Sequence, residues 1–286
     1  MSFDPEAFRA ESRDRWERSA PGWGAQHEQM ARQTAPVTTW LLDALELAPG
    51  MTVLELACGP GDVGLAAVER IRPGGRLIAT DGSPAMVDIV RERVRAAGLE
   101  DVVEGKAMDA EFPFDLDAAS VDRVLCRWGY MLMADPGAAL RETRRVLRPA
   151  GGRVALAAWA ETERNPWMGA PYAELGARGL VEKPPPGTPG PMAWAEPGRI
   201  AQELEDAGFV DPRVEVVEFA FAYPSLDDWW DAQLDLSTGL REAVARLDPA
   251  GRDDLREAID ARLAAHVRDD GAVELPAATQ VAVAES

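Results

Sequence analysis

The residues whose types and spacing suit ligand chemistry begin with a glycine-rich segment. Gly59, Gly61 and Gly64 follow the spacing G-x-G-x-x-G, and Asp81 comes about twenty residues later. Glycines allow a tight turn, and the peptide N–H groups at the start of a following helix can then point at a ligand. An aspartate at the end of the next strand can accept hydrogen bonds from both hydroxyls of a ribose. This pattern predicts a nucleoside-binding site.

A glycine-rich turn indicates a nucleoside-binding site only when it lies between a strand and a helix, and the flanking sequence predicts both. Residues 53–57 are apolar around Glu55 and indicate a buried strand, and the alanine-rich residues 65–71 indicate a helix. Asp81 ends a second predicted strand, residues 76–80. The alternative interpretation of Asp81 is a surface acid that caps the next helix, but Gly82-Ser83-Pro84 already supplies that cap.

Two further positions suit an adenine base. Asp109 follows a third, short predicted strand, where its carboxylate could accept the adenine amino group with the Ala110 amide nearby. Asp109 could equally be an ordinary acidic turn residue. Met86, just inside the helix capped by Ser83, could lie against the adenine ring, although packing in the helix core explains it equally well.

Glu55 helps to decide which nucleoside binds. An acid four positions ahead of Gly59 would repel a pyrophosphate, but it suits a ligand that carries an ammonium or sulfonium group. A nicotinamide-dependent oxidoreductase shares the glycine spacing and the later acid. Glu55 and Asp109 argue against that alternative, as does the lack of an obvious Tyr/Lys pair for hydride transfer.

The segment E-L-A-C-G-P-G, residues 55–61, resembles the first motif of the class I S-adenosylmethionine (SAM) methyltransferases, D/E-x-G-x-G-x-G, with Ala57 in place of the first glycine. The resemblance covers about residues 50–158 and is nearest to the group that includes quinone-biosynthesis C-methyltransferases. It implies SAM as cofactor and a seven-stranded sheet whose last strand is antiparallel. It also implies roles for individual residues: Glu55, Gly59 and Gly61 beside the methionine part of SAM, Asp81 at the ribose, Asp109 and Ala110 at the adenine, and Arg127 beside the amino-acid end.

Alternating strands and helices after residue 49 predict an α/β fold, a Rossmann-like sheet with right-handed crossovers and helices on both faces. Residues 1–48 are predicted to be an N-terminal helical lid, broken into two pieces at Pro21-Gly22. Residues 49–286 form the predicted methyltransferase domain. Lid insertions are expected at about 160–198, where the proline-rich stretch predicts irregular structure, and at 225–270.

Composition restricts the class of partner. The net charge is −19 and the pI is about 4.5, so the surface should repel nucleic acid and anionic lipid. The first residues have no basic head or apolar core, and no apolar run reaches spanning length, so a soluble cytoplasmic protein is expected. Cys58 and Cys126 are predicted to be buried as small apolar side chains, and no metal site is expected.

The methyl acceptor has no sequence signature. Eight of the nine tryptophans lie outside residues 51–158, which suits a small apolar or aromatic acceptor enclosed by the added helices. The alternative is that these tryptophans only pack the helices against the sheet. If the acceptor is a hydroxyl, His27 is the candidate base, although it could be a solvated histidine on a supporting helix. The sequence is also compatible with a protein that binds SAM without catalysis.

Overall fold

The structure is a computed structural model, and it describes residues 3–182, 184–185 and 187–286. Helices and strands alternate through most of the chain. The helices are α1 (Pro5–Gln33), α2 (Ala35–Ala44), α3 (Asp62–Ile71), α4 (Pro84–Ala97), α5 (Pro136–Val146), α6 (Pro166–Ala177), α7 (Arg199–Asp206), α8 (Leu226–Leu236), α9 (Thr238–Ala245) and α10 (Pro249–Leu263). The strands are β1 (Thr52–Glu55), β2 (Arg76–Asp81), β3 (Val103–Ala107), β4 (Arg123–Arg127), β5 (Arg153–Trp159), β6 (Val210–Tyr223) and β7 (Val273–Glu285).

The described residues form one seven-stranded sheet in the order β3-β2-β1-β4-β5-β7-β6. Strands β1 to β5 are parallel, whereas β7 runs antiparallel between β5 and β6. This arrangement confirms the predicted α/β fold with an antiparallel last strand. Because β1 to β4 are parallel, their carboxyl ends meet at one edge of the sheet, which is where ligands bind in such folds.

Local sequence signals explain several element boundaries. The side chains of Ser83, Asp135 and Asp248 each accept a hydrogen bond from a backbone N–H in the first turn of the helix that follows. Gly98 ends α4 in the left-handed region, with φ 63°. Each of the three caps is followed by a proline at the first helical position, as the sequence predicts.

The N-terminal helix corrects one prediction. Residues 5–33 form a single helix, α1, that continues through Pro21 and Gly22 and is not broken there. Proline removes one helical hydrogen bond, but packing of neighbouring residues can compensate for the loss. Ser19, Ala20 and Met30 on this helix are buried, and the indole Nε1–H of Trp23 donates to the carbonyl of Leu236, 3.1 Å away. Tertiary contacts therefore hold the helix together on both sides of the proline.

The stretch at 160–198 is less irregular than predicted, because residues 166–177 form helix α6. Asn165 stabilises the start of this helix from a fully buried position. Its Nδ2 donates to the carbonyls of Ala160 and Ala278 at 3.1 and 3.0 Å, and its Oδ1 accepts from the Ala278 N–H at 3.1 Å. Helix α9 was also not predicted. Within the proline-rich part, Lys183 and Pro186 lie outside the described residues.

The apolar alternation of the sequence predicts strands over residues 214–221 and 279–284, and both strands are longer in the structure. Strand β6 covers Val210–Tyr223, and β7 covers Val273–Glu285. The two strands pair along most of their length, from Val210 with Glu285 to Tyr223 with Val273. Along the described chain, no helix has the length and apolarity to cross a membrane. Cys58 and Cys126 are buried and unpaired with each other, as predicted.

Candidate cofactor and active site

The predicted ligand residues come together at the carboxyl edge of β1 to β4. The glycine turn follows β1, Asp81 ends β2, Asp109 follows β3, and Arg127 ends β4. Four stretches that are far apart in sequence therefore line one edge. This clustering is a consequence of the parallel strand order, since consecutive parallel strands all end on the same side.

The glycine turn has the backbone geometry that its sequence predicts. Gly59 has φ 53° and Gly61 has φ 85°, and Gly61 directly precedes α3. An L residue would be strained at either position. A Cβ built on Gly59 would meet nothing within 4 Å, so this side of the turn is open. The preceding Ala57 also has a positive φ, 49°, which explains why glycine is usual at that position of the motif.

Asp81 ties the ends of β1 and β2 together. One carboxylate oxygen, Oδ2, accepts the Gly59 N–H at 2.9 Å, and the other, Oδ1, accepts the Ser83 N–H at 2.9 Å. Burial raises the pKa of this carboxyl, although the two hydrogen bonds act in the opposite direction. Each oxygen keeps a lone pair for a further donor, as recognition of two ribose hydroxyls requires. Gly82, also exposed at this edge, offers open space beside the carboxylate.

Glu55 lies beneath the glycine turn and is only 2% exposed. Its Oε1 accepts the Gly64 N–H at 3.1 Å, and a Cβ on Gly64 would lie 2.1 Å from its Oε2. Gly64 is therefore a glycine because the Glu55 side chain occupies the adjacent space. Burial raises the pKa of Glu55 to about 8, and the positive charge of Arg127 partly offsets this rise. Its placement beside the methionine part of SAM stays a prediction.

A cavity of about 260 Å³ lies at the ends of β2 and β3. Its lining residues are Arg13, Gly82, Pro84, Ala107, Met108, Asp109 and Phe112. Asp109 Oδ1 accepts the Glu111 N–H at 3.0 Å, and its Oδ2 lies 3.2 Å from a guanidinium nitrogen of Arg13. A cavity with apolar walls and the charged groups of Arg13 and Asp109 fits an adenine base, whereas Ala110 is buried and is not among its lining residues.

Met86 is not part of the cavity wall. Its side chain is only 2% exposed and is among the largest buried side chains of the protein. The structure therefore favours the alternative interpretation of Met86 as a core residue of α4. Met108, in contrast, lines the cavity.

A charged cluster surrounds the start of α3. Arg127 donates to Thr34 Oγ1 at 2.6 Å, lies 3.8 Å from Asp62 Oδ2, and has its guanidinium carbon 4.8 Å from the centre of the Trp128 ring. Burial lowers the pKa of Arg127, and the nearby carboxylate of Asp62 opposes that change. Asp62 Oδ1 also accepts from Arg93 at 2.7 Å. Sequence reasoning missed Asp62, although its position directly after Gly61, at the start of a helix, was a usable signal.

His27 belongs to the same cluster. Its Nδ1 lies 3.8 Å from Asp62 Oδ1, and its side chain is 25% exposed. In the part of the chain that the structure describes, His27 Nδ1, Glu55 Oε2 and Asp62 Oδ2 are buried polar atoms without a hydrogen-bond partner. Buried polar groups are normally paired. These atoms around an open turn therefore fit a site that receives a polar or charged group from a ligand.

The side chains that could bind a metal ion do not cluster in the described part of the chain. Among the described residues, no group of three or more His, Cys, Asp or Glu side chains could hold a metal ion.

Comparisons with known proteins agree with this geometry. Residues 53–151 match the family described as "Methyltransferase domain". A nocamycin O-methyltransferase of Saccharothrix syringae is 30% identical over 248 residues, which cover 82% of this chain and 82% of that protein. A demethylmenaquinone methyltransferase of Symbiobacterium thermophilum is 32% identical over 143 residues, 49% of this chain and 51% of that protein.

A solved structure, the YcgJ protein from Bacillus subtilis, superposes with a TM-score of 0.56 at 15% identity, covering 87% of this chain and 98% of that one. This likeness concerns the fold alone. The first two curated relatives match over only 32% and 51% of their own lengths, so the chain spans about half or less of those proteins. The nocamycin enzyme, in contrast, is matched over most of its length.

Proposed function

The chain belongs to the class I SAM-dependent methyltransferases, and we propose that it transfers the methyl group to a small apolar or aromatic molecule. The observation that carries this proposal is an aromatic cluster beside Arg127. The rings of Trp128 and Trp159 stack with centroids 4.0 Å apart, and Trp159 contacts Trp167 at 5.0 Å. Phe221 and Phe219 extend the same cluster.

The position of this cluster supports an aromatic acceptor. Arg127 lies over one face of the Trp128 ring, so the cluster begins next to the residue expected at the amino-acid end of SAM. It continues along β5 to α6 and β6. Aromatic side chains offer large apolar contact area to flat ligands. The added elements therefore supply aromatic side chains on the side of the edge away from the adenine cavity, with Trp128, Trp159 and Phe221 buried and Trp167 and Phe219 partly exposed.

The chain's own residues hold the cofactor by polar contacts at three strand ends. The glycine turn, the Asp81 carboxylate and the cavity at Asp109 would take the methionine part, the ribose and the adenine respectively. SAM supplies a methyl group already activated by its sulfonium charge. The protein then has to align the acceptor, exclude water and, for some acceptors, hold a proton. We propose that the helical segment 1–48 and the segments 160–198 and 225–270 enclose the acceptor as lids.

The names of the relatives are compatible with a small acceptor. One is named for methylation of nocamycin at oxygen and another for methylation of demethylmenaquinone. The net charge of −19 argues against a nucleic-acid acceptor, because phosphates would be repelled. No comparison favours the nicotinamide-dependent alternative.

His27 is the proposed base if the acceptor is a hydroxyl. Replacement of His27 with alanine should then slow methyl transfer by about a hundredfold while the affinity for SAM changes little. The physical reason is that a neutral hydroxyl must lose its proton as the new bond forms, and the imidazole of His27 offers a ring nitrogen that can accept it. Single-turnover rates with an identified acceptor measure the effect.

His266 provides the matched control, since it lies in a short helical turn after α10 and is not among the described residues that contact Asp62. His266→Ala should leave the rate unchanged. A His27→Ala rate within a few-fold of the parent would remove His27 from the mechanism and favour an acceptor that reacts without a protein base.

The proposed function is tested by incubating the protein with SAM and a panel of phenols, quinols and aliphatic carbon acids, and by measuring the demethylated cofactor and methylated product. Turnover of a small aromatic acceptor is expected. Binding of SAM without turnover of any acceptor would favour a non-catalytic SAM-binding protein. Turnover confined to RNA, DNA or protein substrates would contradict the proposed acceptor class.

A further inference from the structure

Helix α1 contacts the cofactor edge through one of its faces. Arg9, Arg13 and Glu17 are spaced by four residues and so project from the same side of the helix. Two of them contact predicted site residues, and Arg9 contacts Glu111, two positions after Asp109. Their partners are Glu111 for Arg9 at 3.0 Å, Asp109 for Arg13 at 3.2 Å, and Ser83 for Glu17 at 2.6 Å.

The Glu17 contacts differ from ordinary surface ion pairs. Glu17 Oε2 accepts the hydroxyl of Ser83 and, at 3.3 Å, the backbone N–H of Ala85. Ser83 is 1% exposed. The Ser83 hydroxyl in turn accepts the N–H of Met86 at 3.3 Å, so it is held from two sides. A carboxylate at this position is also favourable because it lies at the positive N-terminal end of α4.

Ser83 connects Glu17 to the ribose acid. The Ser83 N–H donates to Asp81 Oδ1, and Asp81 Oδ2 accepts the Gly59 N–H, both at 2.9 Å. One series of hydrogen bonds therefore runs from α1 through the turn after β2 to the glycine turn after β1. The orientation of the Asp81 carboxylate depends on the position of Ser83, which Glu17 holds.

The rest of α1 does not depend on Glu17. Its second half is held by other contacts: the Ser19 and Thr238 hydroxyls are hydrogen-bonded, the Trp23 indole donates to the Leu236 carbonyl, and Gln26 donates to Asp235 at 2.8 Å. Loss of Glu17 should therefore leave the helix in place while releasing Ser83.

We propose that Glu17 is a positioning residue for cofactor binding, acting through Ser83 on the Asp81 carboxylate. The inference rests on the assignment of Asp81 to the ribose of SAM. Under this proposal, docking of the first half of α1 and binding of SAM favour each other, because both depend on the same arrangement of the turn after β2. Coupling of this kind is reciprocal.

Calorimetric titration with SAM tests the proposal. Glu17→Ala should weaken SAM binding by roughly five- to thirtyfold, within the usual range of coupling between sites. Glu17→Gln keeps an oxygen that can accept from Ser83 and Ala85, so its affinity should stay within about threefold of the parent. Glu11→Ala is the matched control: Glu11 lies on the same helix but is exposed, and among the described residues it pairs only with Arg15. It should bind SAM like the parent.

A double-mutant cycle separates positioning from general destabilisation. If Glu17 acts through Asp81, Glu17→Ala should change SAM affinity less than about twofold when Asp81 is already asparagine. Three results would overturn the proposal. Glu17→Ala could reduce SAM affinity equally in both backgrounds, or could bind SAM like the parent. Glu17→Gln could also bind SAM as weakly as Glu17→Ala. Failure of the parent itself to bind SAM would instead contradict the cofactor assignment, so the two failures are distinguishable.

Discussion

Replacement of Asp81 with alanine is expected to weaken the binding of SAM by roughly 1.5–3 kcal/mol, which corresponds to about ten- to 150-fold in the dissociation constant. The variant loses the acceptor for the ribose hydroxyls. It also leaves the N–H groups of Gly59 and Ser83 without their carboxylate, so the glycine turn is less well ordered before SAM arrives. Both effects act in the same direction, and calorimetric titration measures their sum.

Asp88→Ala is a suitable control for this measurement. Asp88 lies on the same helix–turn unit, but it is exposed, and its one ion pair within the described part of the chain is with Arg91 at 3.0 Å. Its variant should bind SAM like the parent, and neither protein should bind NAD. If Asp81→Ala keeps the circular dichroism spectrum and the SAM affinity of the parent, the ribose must lie elsewhere.

Folding stability should depend on pH through Glu55. The pKa of this buried carboxyl is raised to about 8 in the folded chain, whereas an exposed glutamate titrates near 4.3. The folded state therefore holds a proton that the unfolded state has already lost between these values. The resulting stability is fully present below about pH 4.3 and is lost as the pH rises through about 8.

The measurable quantity is the difference between the parent and Glu55→Gln in the free energy of unfolding. Relative to the variant, which cannot titrate at this position, the parent should lose about 3 kcal/mol between pH 5 and pH 8 and little more above pH 9. Titrating groups remote from Glu55 contribute equally to both proteins and cancel. Urea denaturation at several pH values gives the curve. A parent-to-variant difference that stays constant with pH would show that Glu55 is ionised in the folded protein.

The amino-acid sequence by itself was sufficient to predict which strand ends form the proposed cofactor edge of the sheet. Strand, glycine turn and helix are local patterns, and the strand alternation then implies a parallel sheet whose carboxyl ends coincide. Glu55, Asp81 and Asp109 could therefore be assigned to one edge from these patterns alone, and the fold brings them there. The helix caps at Ser83 and Asp135 were predictable for the same reason, since a cap depends on a few adjacent residues.

The structure of the proposed lid segments was less predictable, because it depends on contacts with residues distant in the sequence. Pro21 indicates a break in a helix, yet contacts with Thr238 and Leu236 hold α1 continuous. Helix α6 has little amphipathic pattern and begins where Asn165 bonds to the distant Ala278. Local propensity is a weak prior that such contacts override.

Tertiary structure also decided which residues join the site from outside the motifs. The sequence offers His27 as a candidate base but does not show what it contacts. Arg13 and Glu17 belong to a helix with no cofactor motif, and Asp62 was not singled out. Their roles appear only when α1 lies across the ends of β1 to β3, where Asp109, Ser83 and Asp62 meet its side chains. The physical reason is that spacing within a helix determines which side chains share a face, but only packing determines what that face contacts.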